Sequence, residues 1–147
     1  MGRKSSQGQS LVEFALIAPL LILLLLALFD FGRAVYAYNT ISNAAREGVR
    51  LAIVDQSESG GVPLAATEAA NQATALGLDP SDVNDVQVLY RLPDLSDACP
   101  DRGLGCVAQV RVQYQFQAVT PVIGAIVGPF MLSTTTQVPI ERTWPAS

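Results

Sequence analysis

The 147-residue chain contains no histidine, one lysine, two cysteines and one tryptophan. Each shortage removes a class of chemistry. Without histidine there is no imidazole to act as general base beside a serine or cysteine, and no nitrogen ligand for zinc. The single lysine, Lys4, precedes the first apolar segment, so a Ser–Lys dyad is lost once the first residues are removed. Two thiols without further Cys or His ligands do not make a metal centre. Charged residues are only 15% of the chain, and the net charge is −4. Residues 55–101 hold nine acidic residues and one basic residue, Arg91. Nucleic acid is excluded as a partner, because contact with phosphates needs clustered Lys and Arg. No glycine-rich phosphate loop occurs, and nothing places two carboxylates in one pocket. The expectation is a protein that is not an enzyme and carries no cofactor or metal.

What the chain has instead is a basic N-terminus followed by an uncharged apolar run. Arg3 and Lys4 precede Gly8, Glu13 stands five residues after Gly8, and residues 14–29 carry no charge. A carboxylate at the edge of a span is conspicuous, since an ionised side chain costs roughly 2.5–3.5 kcal/mol or more at the centre of a bilayer. As a helix the run is about 24 Å long, short of the roughly 30 Å of a hydrocarbon core. Leu11, Val12 and Phe31 extend it, which sets Glu13 and Asp30 at its two boundaries. Pro19 lacks a backbone donor and is expected to kink or loosen the helix over residues 15–19. Arg3 and Lys4 favour a cytoplasmic N-terminus, with the rest of the chain on the other side of the membrane. A secretory signal would need a small-residue cleavage site after the run. The sequence Ala27-Leu28-Phe29-Asp30-Phe31-Gly32 offers none, which leaves a retained membrane helix.

The helical pattern continues beyond the membrane. Apolar or small residues recur at 31, 34, 35, 38, 41, 42, 45, 48, 49, 52 and 53, the rhythm of an amphipathic helix. Arg33, Asn39, Asn43, Arg46, Glu47 and Arg50 occupy the opposite face. One helix over residues 9–54 would be roughly 70 Å long. Ala44, Gly48 and Ala52 form a ladder of small residues that permits close backbone approach, either to another subunit or to the chain's own sheet.

The stretch GQSLVEFALIAPLLILLLLALFDFGRAVYAYNTISNAAREGVRLA resembles the TadE-like family of pilin-related proteins in tight-adherence (Tad) systems. The resemblance rests on Gly8, on Glu13-Phe14-Ala15-Leu16, on Pro19, on Asp30-Phe31-Gly32-Arg33 and on Asn43-Ala44-Ala45-Arg46-Glu47-Gly48. It is close over residues 8–54 and loose beyond. Tad prepilins usually carry Tyr after the Glu, where this chain has Phe14, and that leaves the subunit class open. The resemblance implies a leader, residues 1–8, cut after Gly8 by a membrane prepilin peptidase. It implies Arg3, Lys4, Gly8, Gln9 and Glu13 as processing residues. The new α-amine of Gln9 would lie one helical turn before Glu13. A buried carboxylate needs a partner, and the Gln9 amine of a neighbouring subunit would fix the register of assembly. Assembly would then use Glu13, Phe14 and Pro19, with the ladder of Ala44, Gly48 and Ala52.

The remainder reads as a small extracytoplasmic domain. Residues 55–61 (DQSESGG) form a polar loop. Pro63 opens a second helix over residues 64–76, with Ala65, Ala69, Ala73 and Leu76 on one side and Gly77 to end it. Asp79 and Pro80 begin a turn. Three half-buried strands follow by alternation, near residues 86–92, 108–117 and 130–140. Pro139 makes the third an edge strand. Cys99 and Cys106 bracket the loop between the first two strands, and in an extracytoplasmic domain they are expected to form a disulfide. The spacing of Asp79, Asp82, Asp85, Asp94, Asp97 and Asp101 suits either scattered calcium ligands or a solvated acidic face. Residues 120–129 (TPVIGAIVGP) are too short to span a bilayer. They either fold back on the core or form a patch that needs a partner.

The expected fold is therefore α+β and pilin-like. A long N-terminal helix packs on an antiparallel sheet of about three strands, with a short second helix. Residues 1–8 would be the leader, 9–31 the transmembrane and assembly helix, and 32–147 the extracytoplasmic domain, including the helix half 32–54. The expected function is that of a pilin, minor pilin or pseudopilin. Its partners would be the membrane, the prepilin peptidase, the assembly platform and other pilin subunits, in a homo- or hetero-oligomeric filament. The alternative is a single-pass anchored binding domain that does not assemble and presents its acidic loops to a ligand.

Overall fold

A computed structural model describes residues 6–100 and 102–141. Arg3, Lys4 and Asp101 lie outside the described residues. The chain begins with α1, Ser6–Ala52, 47 residues long. A two-residue hairpin follows, β1 (Glu58–Ser59) with β2 (Val62–Pro63). Gly60 and Gly61 form its turn at φ of 64° and 83°, a backbone conformation that other residues rarely adopt. Helix α2 spans Leu64–Gln72 and leads into a 3-10 turn, Thr74–Leu76. Gly77 closes that turn in the left-handed conformation. Strands β3 (Val86–Arg91) and β4 (Val107–Phe116) precede a short helix α3 (Pro121–Val127) and strand β5 (Phe130–Pro139).

The three long strands form one antiparallel sheet in the order β3-β4-β5. Val86 pairs with Val112 and Arg91 with Val107; Val107 also pairs with Pro139 and Phe116 with Phe130. Pro139 thus ends an edge strand, where its missing N–H leaves no gap in the sheet. The alternation holds in β4, where Ala108, Val110, Val112 and Phe116 are buried while Arg111 and Gln115 are exposed. One face of the sheet packs on the second half of α1, and α2 packs on α1 and β3.

The core is built largely from small residues. Ala44, Ala45 and Ala52 from α1 meet Ala65, Ala66, Ala69 and Ala73, with Ile41, Val49, Val110, Val112 and Ile140 as the larger members. A Cβ on Gly48 would stand 3.0 Å from the Ala65 carbonyl oxygen, 3.0 Å from Ala69 Cβ and 3.2 Å from Val110 Cγ1. The ladder of Ala44, Gly48 and Ala52 therefore closes on the chain's own α2 and β4. The close approach it permits is taken up inside the domain, the second of the two partners its spacing allowed.

Helix α1 continues through Pro19, which cannot donate one backbone hydrogen bond of the helix. The buried stripe of its second half also differs from the sequence pattern. It begins at Ala37 and runs through Ile41, Ala44, Ala45, Gly48, Val49 and Ala52. Phe31, Val35 and Tyr38, read as part of the stripe, are exposed.

Candidate functional site

Two carboxylates on α1, seventeen residues apart, bracket its apolar part. Between them Leu16, Ile17, Leu20, Leu21, Leu24 and Leu28 are exposed, and the most apolar window has a mean hydropathy of 2.8 with none of it buried. The helix is long and apolar enough to cross a membrane. At its start Gly8, Gln9 and Glu13 are all exposed, and Gln9 Nε2 donates to Glu13 Oε1 at 3.4 Å across one turn. Gly8 has nothing within 4 Å of the position a Cβ would take. Phe14 and Pro19 are exposed on the same helix. Within the described residues, Glu13 has this single side-chain hydrogen bond and no ion pair.

Asp30, at the other end, is 3% exposed. Its Oδ1 accepts the Val119 N–H at 3.1 Å and its Oδ2 accepts the Thr120 N–H at 3.0 Å. Thr120 is the residue before α3, Pro121 is its first residue, and no side chain from within the segment caps it. Asp30 thus anchors, from 89 and 90 positions away, the two residues that lead into α3. Arg33 completes the junction. Its guanidinium donates to Asp30 Oδ1 at 3.3 Å and lies 5.4 Å from the centre of the Phe116 ring. Phe116 in turn contacts Phe130, ring centres 5.3 Å apart.

Sequence reading set Asp30 at a membrane boundary but missed this contact. The helix-start signal, Thr120-Pro121, was visible; nothing in the sequence connects it with Asp30. Residues 120–129 divide between the two expectations: Thr120 is buried and Ile123 half-buried. They fold into α3, but Ile126 is 79% exposed and Val127 56% exposed.

The far end of the domain carries the disulfide Cys99–Cys106, with Cα atoms 6.0 Å apart. The loop it closes is tied down by Arg102. Its guanidinium lies over the Tyr90 ring at 5.2 Å and pairs with Glu58 at 3.5 Å, and its carbonyl accepts from Gln56 Nε2 at 2.6 Å. Arg102 and Leu95 both have positive φ, 46° and 61°, in a loop otherwise held by the disulfide. Tyr90 donates to the Ala52 carbonyl at 3.2 Å, and its burial raises the phenol pKa.

The acidic residues serve their own turns. Asp79 Oδ1 accepts from Ser81 Oγ at 2.6 Å and Ser81 N at 2.8 Å; Asp94 does the same for Ser96, and Asp55 accepts the Ser57 N–H. These hydrogen bonds hold the carboxyl groups of Asp55, Asp79 and Asp94 below their ordinary range. Asp82 Oδ1 takes the Asn84 N–H and Asp85 Oδ2 takes the Asp79 N–H. No group of three possible metal ligands comes together among the described residues. Among the described residues, open clefts include two on the surface. One, of about 530 Å³, runs between α1 and β5 past Asn39, Asn43, Arg46 and Thr134. The other, of about 380 Å³, lies on the outer sheet face at Arg91, Gln109 and Arg111. Neither is lined by a carboxylate that an acid–base reaction would need.

Among known proteins, the family model described as TadE-like protein matches residues 8–50. The match takes in Gly8, Glu13, the whole apolar run, Asp30 and most of the half of α1 that enters the domain. That family is structural and pilus-associated rather than enzymatic. No curated protein and no solved structure matches the chain.

Proposed function

We propose that this protein is a pilin-type structural subunit of a Tad pilus or a related secretion system. In this reading it is inserted with its N-terminus in the cytoplasm, processed after Gly8 and assembled through the first half of α1 for adhesion or secretion. The observation that carries the reading is a long, fully exposed apolar helix with one carboxylate near its start and a folded α+β domain mounted on its other half. The TadE-like match over residues 8–50 supports it. Apolar surface on this scale is stable only in lipid or against other helices, and a filament core supplies the second environment after the bilayer has supplied the first.

The local physics suits both steps. Gly8 lies in the first turn of α1, where backbone N–H groups have no partner within the helix. Glycine weakens a helix by about 1 kcal/mol relative to Ala. Opening this turn to a peptidase therefore disturbs little. Cleavage would expose the Gln9 α-amine. Glu13, whose present contact is a long bond to the Gln9 amide, would be free to take the amine of a neighbouring subunit and set the axial register. Phe14 and Pro19 lie on the same exposed stretch as packing surface.

Intact-mass measurement of the native protein, from cells carrying its own peptidase, tests the proposal. A mass lacking residues 1–8 supports processing and assembly. A full-length mass from a monomeric product favours the anchored binding domain. Loss of the chain to about residue 30 would identify a secretory signal and end the filament reading.

A further inference from the structure

We infer that α3 and the adjoining ends of β4 and β5 form a foot that rests in the outer surface of the lipid bilayer beside the α1 span. The inference rests on α1 spanning the membrane, as proposed above, and adds a second membrane contact that neither the sequence nor the family match assigns.

The first argument is height. Asp30 closes the apolar part of α1, and its two oxygens hold the N–H groups of Val119 and Thr120. The start of α3 is thus fixed at the level where the span ends. The sheet agrees with this placement. Tyr90, which pairs with Ala108, bonds to Ala52 at the far end of α1, while Phe116 lies beside Arg33. From Ala52 back to Arg33 the helix covers about 28 Å. From Ala108 to Phe116 the strand covers about 27 Å. The β4–β5 connection therefore points at the membrane, not away from it.

The second argument is composition. Residues 112–140 contain no charged side chain. At the tip Val119 is 66% exposed, Ile126 79%, Val127 56% and Met131 51%. Beside them on α1, Phe29 and Phe31 are also exposed, and Tyr36 and Tyr38 follow within two turns. Aromatic residues at this level suit the membrane–water interface. The exposed apolar residues of the foot are held at the level where those of the span end, which selects lipid as its occupant. A seven-residue helix cannot cross a bilayer, but it can lie in the headgroup boundary with its apolar residues buried. Arg33, held between Asp30 and the Phe116 ring, places the nearest positive charge at the same boundary.

Tryptophan depth measurements on the full chain test the foot. Trp144, the single native tryptophan, is replaced by Phe. Leu21→Trp, Ile126→Trp and Leu104→Trp are then made separately, all at exposed positions, and reconstituted in phosphatidylcholine vesicles with or without acyl-chain bromine. Leu21→Trp reports the span, and Leu104→Trp reports the end of the domain far from the membrane. The foot requires Ile126→Trp to be blue-shifted and to lose emission to brominated lipid, with Leu104→Trp doing neither. Blue-shifted but unquenched emission at 126 would mean a protein neighbour covers the site and would overturn the inference. Ile126→Trp behaving like Leu104→Trp, while Leu21→Trp is quenched, would overturn the foot and leave the span intact. An unquenched Leu21→Trp would remove the span and the foot with it.

Discussion

The two halves of α1 are one continuous helix in two different environments. In the first half nearly every side chain from Gly8 to Phe29 is exposed. In the second, Ile41, Ala44, Ala45, Gly48, Val49 and Ala52 are covered by α2 and the sheet. The first half has long leucines on all sides, as a helix surrounded by lipid or other helices should. The second has small residues on one stripe, so that a second helix and a strand can come close. The difference shows that helix formation is common to both halves, while side-chain size and distribution decide what each half may touch. Asp30 sits where one regime passes into the other.

The sharpest way to break this comparison is to enlarge Gly48. Gly48→Leu should destabilise the domain by about 3 kcal/mol, the upper end for overpacking, because the new side chain meets the Ala65 backbone and Ala69. Leu21→Ala in the first half should leave the domain's unfolding midpoint unchanged. Equal shifts for the two variants would deny the division. The disulfide comes next. Replacing Cys99 and Cys106 together by Ser should cost about 2–3 kcal/mol, read by denaturant unfolding, with the apolar half of α1 unaffected.

Asp30 tests the junction. Asp30→Ala leaves the N–H groups of Val119 and Thr120 without their acceptors, a loss of about 1–3 kcal/mol. Hydrogen exchange at those two amides should quicken, while Val110 and Val112 keep their protection. Uniform loss of protection would mean that Asp30 supports the whole domain rather than α3. Glu13→Ala should have almost no effect on domain stability, since Glu13 lies on the exposed half. It should instead reduce incorporation into filaments, assayed by co-sedimentation with sheared pili, and unchanged incorporation would remove the register role.

The smallest effect is expected from pH. Asp55, Asp79 and Asp94 titrate below the ordinary 3.8 because Ser57, Ser81 and Ser96 hydrogen-bond to their ionised forms. Groups with depressed folded pKa values stabilise the domain above the unfolded value, and that contribution is lost as pH falls through the folded values. The turns at 55–57, 79–81 and 94–96 should therefore loosen only below about pH 4. Carboxyl titration by NMR, with midpoints below 3.8 for these three residues, would bear this out.

Much of the fold was legible because local period and punctuation agree. The three strands alternate with one wet face, Pro139 announces an edge, and Gly77 stops the second helical segment where a positive φ is needed. The disulfide followed from two cysteines in one short loop. The small-residue ladder was ambiguous because Ala44, Gly48 and Ala52 describe a close approach without naming the partner. The reach of the buried stripe was misread for a related reason: Phe31, Val35 and Tyr38 fit the helical period, but periodicity cannot say how far the sheet extends.

The sequence by itself determined that a long helix exists, that its first part is apolar on every side, that strands follow, and that no histidine is present. Those conclusions depend on residue type and short-range spacing, which the chain carries directly. Only the tertiary structure decided that the ladder packs inward, that Asp30 holds the residues leading into α3 from about 90 positions away, and that Ile126 and Val127 of α3 stay exposed. Such facts depend on which segments meet, and hydrogen bonds and packing between segments distant in the chain are properties of the folded arrangement as a whole.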